Sequence, residues 1–360
     1  MDVSHRDVKT YRFKNRGDDV TGSIKKRDIR DPRSKKRDRL FRDGEWLVKG
    51  NIQIIRMIGE GGFGQIYEAE DKKGVRMAVK TGPRNHKSAP RMVLEQFLLQ
   101  KISRYEFFPD FYRSGSTDTV NYICMELLGP NVHDLKKKRD SGHFSTATSF
   151  GVAHQMVYAL EAVHYVGYLH RDVKPSNMCL RTENSRVVLL VDFGLARRYL
   201  DQRGVLRRFR SYAGFRGTGR YASWRVHDHQ EHTVVDDFWS LVYSTIEMAM
   251  GDLPWRKVQD PKHLIKAKRQ FVPKMRRYTS RMTYLFSYLN SCEPHYRIDY
   301  SKVKKALKLP DDEADEPYDW EAEEIYTESS DYNESTRATA SESVESEESE
   351  AGEKVVLLEE

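Results

Sequence analysis

Several groups of residues in this 360-residue chain have types and spacings that could carry chemistry. His170-Arg171-Asp172-Val173-Lys174-Pro175-Ser176-Asn177 fits H-R-D-x-x-x-x-N at every specified position. An aspartate so placed can accept a hydroxyl proton and orient the oxygen for in-line attack, and the asparagine can ligate a hard divalent cation. Asp192-Phe193-Gly194 follows the apolar run Val187-Val188-Leu189-Leu190-Val191, which puts a second oxygen donor at a strand end. Gly59-Glu60-Gly61-Gly62-Phe63-Gly64 fits G-x-G-x-x-G. A dinucleotide fingerprint of that form should open a helix, whereas Gln65-Ile66-Tyr67-Glu68-Ala69 continues as a strand. A glycine loop between antiparallel strands instead lets backbone N–H groups approach nucleotide phosphates with no Cβ in the way. Met77-Ala78-Val79-Lys80 ends in a lysine, and Glu95, on the helix expected next, can hold it toward those phosphates.

The elements that must position these groups are legible as well. Residues 52–58 and 64–70 read as strands joined by the glycine turn, and 75–80 as a third. Residues 89–103 have helical spacing, and strand-like segments follow at 110–114 and 120–126. Leu127-Leu128-Gly129-Pro130 reads as a linker. Beyond residue 145 the pattern turns helical: Phe150, Ala153, Met156, Val157, Leu160, Val163 and His164 recur at steps of three and four. Further helical signals lie at 236–251 and between 280 and 308. The expected fold class is α+β and bilobal, with a small β-rich N-lobe and a larger helical C-lobe.

Charge divides the chain into parts. Residues 1–50 carry 16 Lys+Arg against 9 Asp+Glu, and residues 311–360 carry 20 Asp+Glu against Arg337 and Lys354. The expected organisation is a basic disordered arm over 1–50, a folded domain over 51–310, and an acidic Ser/Glu-rich disordered tail over 311–360. Cys124, Cys179 and Cys292 show no paired spacing, which excludes a disulfide framework or a zinc cluster. No run approaches the roughly 20 apolar residues of a membrane span, and the first residues alternate charge without a signal-peptide core. The expectation is a cytoplasmic and/or nuclear protein with no membrane partner. Lys25-Lys26-Arg27 and Lys35-Lys36-Arg37 could serve as a nuclear signal. Without interleaved aromatics they read as a solvated arm rather than a nucleic-acid site.

The motifs, in this order, resemble those of the protein kinases over residues 51–310. Gly217-Thr218-Gly219-Arg220-Tyr221-Ala222-Ser223, Met125-Glu126-Leu127-Leu128-Gly129-Pro130 and Leu253-Pro254-Trp255 resemble the casein kinase I group. Within it, Lys174-Pro175-Ser176-Asn177, Ala213-Gly214-Phe215-Arg216-Gly217-Thr218 and Asp236-Asp237-Phe238-Trp239-Ser240-Leu241 are most similar to the tau-tubulin kinase branch. The resemblance implies transfer of the γ-phosphoryl of ATP, with Mg²⁺, to Ser/Thr of proteins. It implies Asp172, Lys174, Lys80, Glu95 and Thr218 in catalysis, with Thr218 bridging Asp172 and Lys174, and Asn177 and Asp192 on the metal. ATP would meet Ile58, Gly59, Gly61, Gly62, Phe63, Gly64, Ile66, Ala78, Lys80, the gatekeeper Met125, hinge residues Glu126 and Leu127, and Cys179 as the adenine floor. Asp237 would anchor the catalytic loop, and Leu99, His170 and Phe193 would stack as an apolar spine. Ser223-Trp224-Arg225 departs from the family's Ser-Ile-Asn or Ser-Val-Asn. No departure touches the catalytic set. The alternative, a catalytically weak kinase-fold scaffold, therefore lacks its usual motive.

Arg197, Arg198, Arg203, Arg207, Arg208, Arg210, Arg216 and Arg220 crowd the segment after Asp192. Guanidinium forks suit phosphate oxygens. The expected substrates are proteins with Ser/Thr near acidic or already phosphorylated residues, read by Arg216 and Arg220. The serine-rich acidic stretch 341–350 resembles such a substrate, and intramolecular contact of the tail with the basic C-lobe is expected. Ser211 and Tyr212 are candidate phosphorylation sites, although the group resembled generally acts without activation-segment phosphate.

Overall fold

The computed structural model describes residues 38–321, apart from Lys49, Gly62, Phe63, Lys87, Ser88, Arg276, His295 and Tyr296. The arm to residue 37, the tail from 322, and two expected phosphate-loop residues, Gly62 and Phe63, lie outside the described residues.

The N-lobe is one antiparallel sheet. Its strands are β1 (Trp46–Leu47), β2 (Ile52–Gly61), β3 (Gly64–Asp71), β4 (Arg76–Pro83), β5 (Phe111–Ser116) and β6 (Val120–Met125), in the order β1-β2-β3-β4-β6-β5. Helix α1 (Ala89–Ile102) lies between β4 and β5 in the chain. The two-residue period of β4 divides its side chains between the sheet's faces. Met77 and Val79 join Ile54, Tyr67 and Cys124 in one buried cluster. Ala78 and Lys80 face the other way, opposite Met125 and Ile123 of β6. Of the described glycines in the G-x-G-x-x-G loop, only Gly64 is demanded by packing: a Cβ there would fall 1.9 Å from the Thr81 carbonyl oxygen. At Gly61 a Cβ would meet open space.

After the linker come α2 (Val132–Lys138), α3 (Thr146–Tyr165), β7 (Tyr168–Leu169), a 3₁₀ turn over Pro175–Asn177, β8 (Met178–Leu180), β9 (Val188–Leu190) and β10 (Arg197–Arg198). The lobe is completed by α4 (Trp224–His227), α5 (Val234–Met250), α6 (Pro261–Gln270), α7 (Thr279–Ser291) and α8 (Tyr300–Leu307). Helix α5 is buried almost all round, as a helix that is mostly apolar on every side must be. It packs on α3, which also meets α8 and β9. Side-chain caps start these helices: Ser145 accepts the Thr148 N–H for α3, and Thr233 and Asp236 form a reciprocal box for α5. The short β8–β9 ladder joins the exit of the catalytic loop to the strand before Asp192, and β7–β10 ties the loop's entrance to the arginine-rich segment.

The expected domain limits of 51 and 310 are too tight, because packing continues past both. Leu40 and Phe41 donate their N–H groups to the Tyr67 hydroxyl, and Leu47 is buried under the sheet. At the other end Glu313, Tyr318 and Trp320 are buried. Trp320 meets Phe144 edge-on with centroids 5.5 Å apart, and a Cβ on Gly151 would lie 2.5 Å from the Tyr318 hydroxyl. Residues 311–321 are therefore part of the C-lobe core rather than the start of a disordered tail. Trp320→Ala is expected to destabilise the protein by about 3–5 kcal/mol, measured by denaturant unfolding of the full chain. A loss under about 1 kcal/mol would mean the segment is not integral to the domain.

Candidate active site

The site is built on β4. Lys80 shares the period of Ala78, on the face opposite Met77 and Val79, so its side chain leaves the sheet toward α1, where Glu95 meets it. The Lys80 ammonium lies 2.6 Å from Glu95 Oε1 and 3.0 Å from Asp192 Oδ1. Lys80 is 6% and Glu95 3% exposed. Burial works against the Lys80 ammonium, but Asp192 and Glu95 together hold its pKa above the ordinary lysine value. Burial likewise opposes the Asp192 carboxylate, and Lys80 outweighs it, so Asp192 sits below its ordinary value. One cation thus ties strand β4, helix α1 and the Asp192 turn together. Glu95 Oε2 is buried with no hydrogen-bond partner; Lys80 is the main cation compensating that carboxylate, and burial still holds its pKa above the ordinary value.

The catalytic loop hangs from α5. The Asp237 carboxylate, 1% exposed in the first turn of that helix, accepts the His170 N–H at 2.8 Å and the Arg171 N–H at 2.7 Å. His164 of α3 reaches it with Nε2 at 2.9 Å. Although burial opposes ionisation, these donors hold Asp237 below the usual carboxylate range. The helix N-terminus favours an anion in that place. His170 accepts the Asp172 N–H on Nδ1 at 3.2 Å, which leaves Nε2–H to donate to the Val191 carbonyl at 3.1 Å. Its ring meets Phe193 at 5.1 Å, and Phe193 meets Phe108 at 5.9 Å. Leu99, His170 and Phe193 are all buried, and Phe108 extends the stack in a way spacing alone does not reveal.

Arg171 and Asp192 have φ of 67° and 66°, in the left-handed region that non-glycine residues avoid. Each such residue costs on the order of 1–3 kcal/mol, and here the surrounding bonds hold it in place. Gly217, at φ 98°, packs so tightly on the loop that a Cβ would lie 2.5 Å from the Arg171 carbonyl oxygen. That approach delivers Thr218, whose hydroxyl donates to Asp172 Oδ1 at 2.7 Å. Lys174 Nζ donates to Asp172 Oδ2 at 2.7 Å and to the Thr218 hydroxyl oxygen at 3.1 Å. Asn177 Nδ2 donates to the Asp172 carbonyl at 2.9 Å. That bond settles the amide's orientation and leaves its oxygen as the free end. Asp192 and Asn177 together offer hard carboxylate and amide oxygens, a donor set that fits Mg²⁺.

The structure also places the nucleobase candidates. Ile66 pairs with Lys80 and with Gly59, and Ala78 with Met125, so these residues border one face of the sheet. Ile58 is exposed on β2. The Glu126 N–H is committed to the Asp110 carbonyl at 2.9 Å, so Glu126 could offer a base only its own carbonyl. Leu127 follows in the linker, half-buried. Gly129 is required there, since a Cβ would fall 2.5 Å from the Thr182 carbonyl oxygen. Cys179 on β8 has its thiol pushed up to about 12 by burial, with the Asp134 charge adding to it. It stays a neutral thiol rather than a nucleophile.

One expected placement fails. Arg220 does not face outward as an anion reader: its Nη1 is 2.9 Å from Glu247 Oε1, a buried carboxylate of α5 that Lys136 also approaches at 3.3 Å. Desolvating Glu247 without cations would cost several kcal/mol, so the arginine turns inward. Arg216 is exposed, with Nη1 donating to its neighbour's carbonyl, Phe215 O, at 2.7 Å. The divergent Ser223-Trp224-Arg225 forms the start of α4: Ser223 caps it and donates to Asp236, while Trp224 lies under the Arg269 guanidinium at 4.1 Å. Lys268 had no sequence signal. It is buried, and its Nζ donates to the carbonyls of Gly219, Arg220 and Ala222, holding the segment after Thr218 in place.

Residues 52–347 match the protein kinase domain family. A Caenorhabditis elegans protein whose name assigns it to casein kinase I is 37% identical over 289 residues, 77% of this chain and 83% of that protein. A Dictyostelium discoideum protein named as a serine/threonine-protein kinase is 38% identical over 228 residues, 62% of this chain and 46% of its own. The Caenorhabditis elegans serine/threonine-protein kinase spe-6 is 32% identical over 213 residues, 59% of this chain and 56% of its own. Fold, site and matches together place the chain in the protein kinase superfamily, among its casein kinase I-like serine/threonine kinases.

The Lys80–Asp192 pairing is constant between about pH 4 and pH 10, whereas Glu95, held above its ordinary value by burial, loses its charge first as pH falls. The Asp192 contribution is lost as pH falls through its lowered folded value, and the Lys80 contribution as pH rises past its raised one. Lys80→Met should lower unfolding free energy by about 3 kcal/mol by stranding two carboxylates, and adding Glu95→Leu should recover at least ~1 kcal/mol. Strictly additive losses in denaturant unfolding would mean that Lys80 and Glu95 do not interact.

Proposed function

We propose that the chain is an active serine/threonine protein kinase, transferring the γ-phosphoryl of ATP to Ser/Thr of protein substrates. The observation that supports this most is the joint arrangement of Asp172, Lys174 and Thr218 beside the Lys80–Glu95–Asp192 cluster. Asp172 takes the substrate hydroxyl proton, and its carboxylate is aimed by Thr218 and Lys174. Lys174 offers its ammonium to the phosphoryl oxygens in flight, and Lys80 orients the remaining phosphates. Asn177 and Asp192 would hold Mg²⁺, which neutralises charge on the phosphate oxygens when bound. Removing the carboxylate with Asp172→Asn should cut phosphoryl transfer by about 10²–10⁴-fold at unchanged nucleotide affinity. Transfer within threefold of wild type, measured with radiolabelled ATP, would favour the scaffold reading.

The preference for acidic or pre-phosphorylated sites is proposed to rest on Arg216 and the exposed Arg203, Arg207 and Arg208, and not on Arg220, which Glu247 engages. The acidic residues 322–360 are proposed to compete for the same surface. A peptide array should show upstream acid favoured about tenfold, with the margin shrinking in Arg216→Ala, as loss of one charge-assisted contact implies. Removing 322–360 should raise turnover of acidic peptides. A profile indifferent to upstream acid would retire this specificity.

A further inference from the structure

Arginines crowd the segment after Asp192, and one carboxylate collects them. Glu231, in the loop before α5, is only 7% exposed. Arg210 grips it with a two-pronged fork, Nε to Oε2 at 2.6 Å and Nη2 to Oε1 at 2.8 Å. Arg197, on β10, adds its Nε at 3.3 Å. Arg171 lies beside them: its buried guanidinium feels the charges of Arg197, Arg210, Asp237 and Glu231 and donates Nε–H to the Leu195 carbonyl at 2.7 Å. The chain around the cluster is pinned to the same loop, with the Ala213 N–H donating to His229 O at 2.8 Å and the Tyr212 ring tilted against the His229 ring.

Without a counter-charge these guanidinium groups would repel one another, most of all at the buried Arg171, while the side chains of Arg197 and Arg210 keep part of their contact with water. In kinases that switch on by phosphorylation, the counter-charge is a phosphate added to the activation segment, which orders it through new arginine pairs. Here a carboxylate already meets the arginines from the opposite side. We infer that Glu231 is a built-in replacement for an activation-segment phosphate. It is a positioning residue that locks residues 197–213 and the catalytic-loop arginine into the transfer-ready arrangement without modification. The inference rests on the kinase reading above and deepens it by naming how the site is kept on.

The test uses the full chain after phosphatase treatment, with mass spectrometry confirming that residues 195–223 carry no phosphate. Wild type should keep its transfer rate within about twofold, whereas Glu231→Ala should lose ~10–100-fold in kcat with little change in ATP affinity. Amide hydrogen exchange over residues 197–213 should accelerate in Glu231→Ala. Inorganic phosphate, able to enter the vacated space between Arg197 and Arg210, should slow that exchange and restore part of the rate, with no effect on wild type. Glu231→Gln keeps the shape and a hydrogen-bond acceptor while losing the charge, so it guards against a folding defect and should show a smaller loss in the same direction. Wild type losing its activity on dephosphorylation, Glu231→Ala exchanging like wild type, or phosphate acting equally on both would overturn the inference. Exchange that depends on Glu231 and phosphate in a protein with no detectable transfer would support the lock and refute the kinase reading alone.

Discussion

One buried ammonium carries the geometry of the cleft. Lys80 stands between Glu95 and Asp192, which belong to elements far apart in the chain, and the buried Lys80 and Glu95 charges each need their partner there. The sheet must present Lys80 on its inner face, α1 must turn Glu95 inward, and the turn after β9 must hold Asp192 at a φ it would otherwise avoid. The cost of desolvating these charges therefore acts as a geometric constraint: an arrangement that separates them leaves a charge unpaired in low dielectric. The stack of His170, Phe193 and Phe108 adjoins Asp192 through Phe193.

A second carboxylate plays the same part in the C-lobe. Asp237 takes both N–H groups at the turn into the catalytic loop, so the conformation of Arg171 and the direction of Asp172 follow from the position of α5. Gly217 then brings the downstream segment against that loop, and Thr218 and Lys174 aim Asp172 from both oxygens. Lys268 holds the backbone just beyond. The reacting groups are set by charges and backbone bonds rather than by the arginine-rich surface, which is why a chain this basic still has a neatly compensated centre.

Much of this was legible in order and spacing. The strands flanking the glycine turn, the helix bearing Glu95, the loop of Asp172 and Asn177, and the strand before Asp192 all carry local signals, because each is built from a short run of residues with one periodicity. What local signals could not show are partners set by tertiary packing. Arg220 looks like an anion reader by type, yet its partner Glu247 lies on a helix that packs beneath it. Glu231 and Lys268 have no motif, and the surplus of arginines reads by type as a surface for substrate anions. Tyr318 and Trp320 were hidden by acidic composition, since average polarity overruled two aromatic residues that in fact close the core. The two-residue strands β1, β7 and β10 are too short for any period to declare itself.

Calorimetric titration of ATP into the full chain, with and without Mg²⁺, reaches the convergence at the cleft most directly. Binding should tighten at least about tenfold with Mg²⁺ in the wild type and lose that gain in Asp192→Ala, whose oxygens are the charged ones available to the metal. Binding that is indifferent to Mg²⁺, or a magnesium effect that survives Asp192→Ala unchanged, would contradict the proposed seating of the phosphates between Lys80, Asn177 and Asp192.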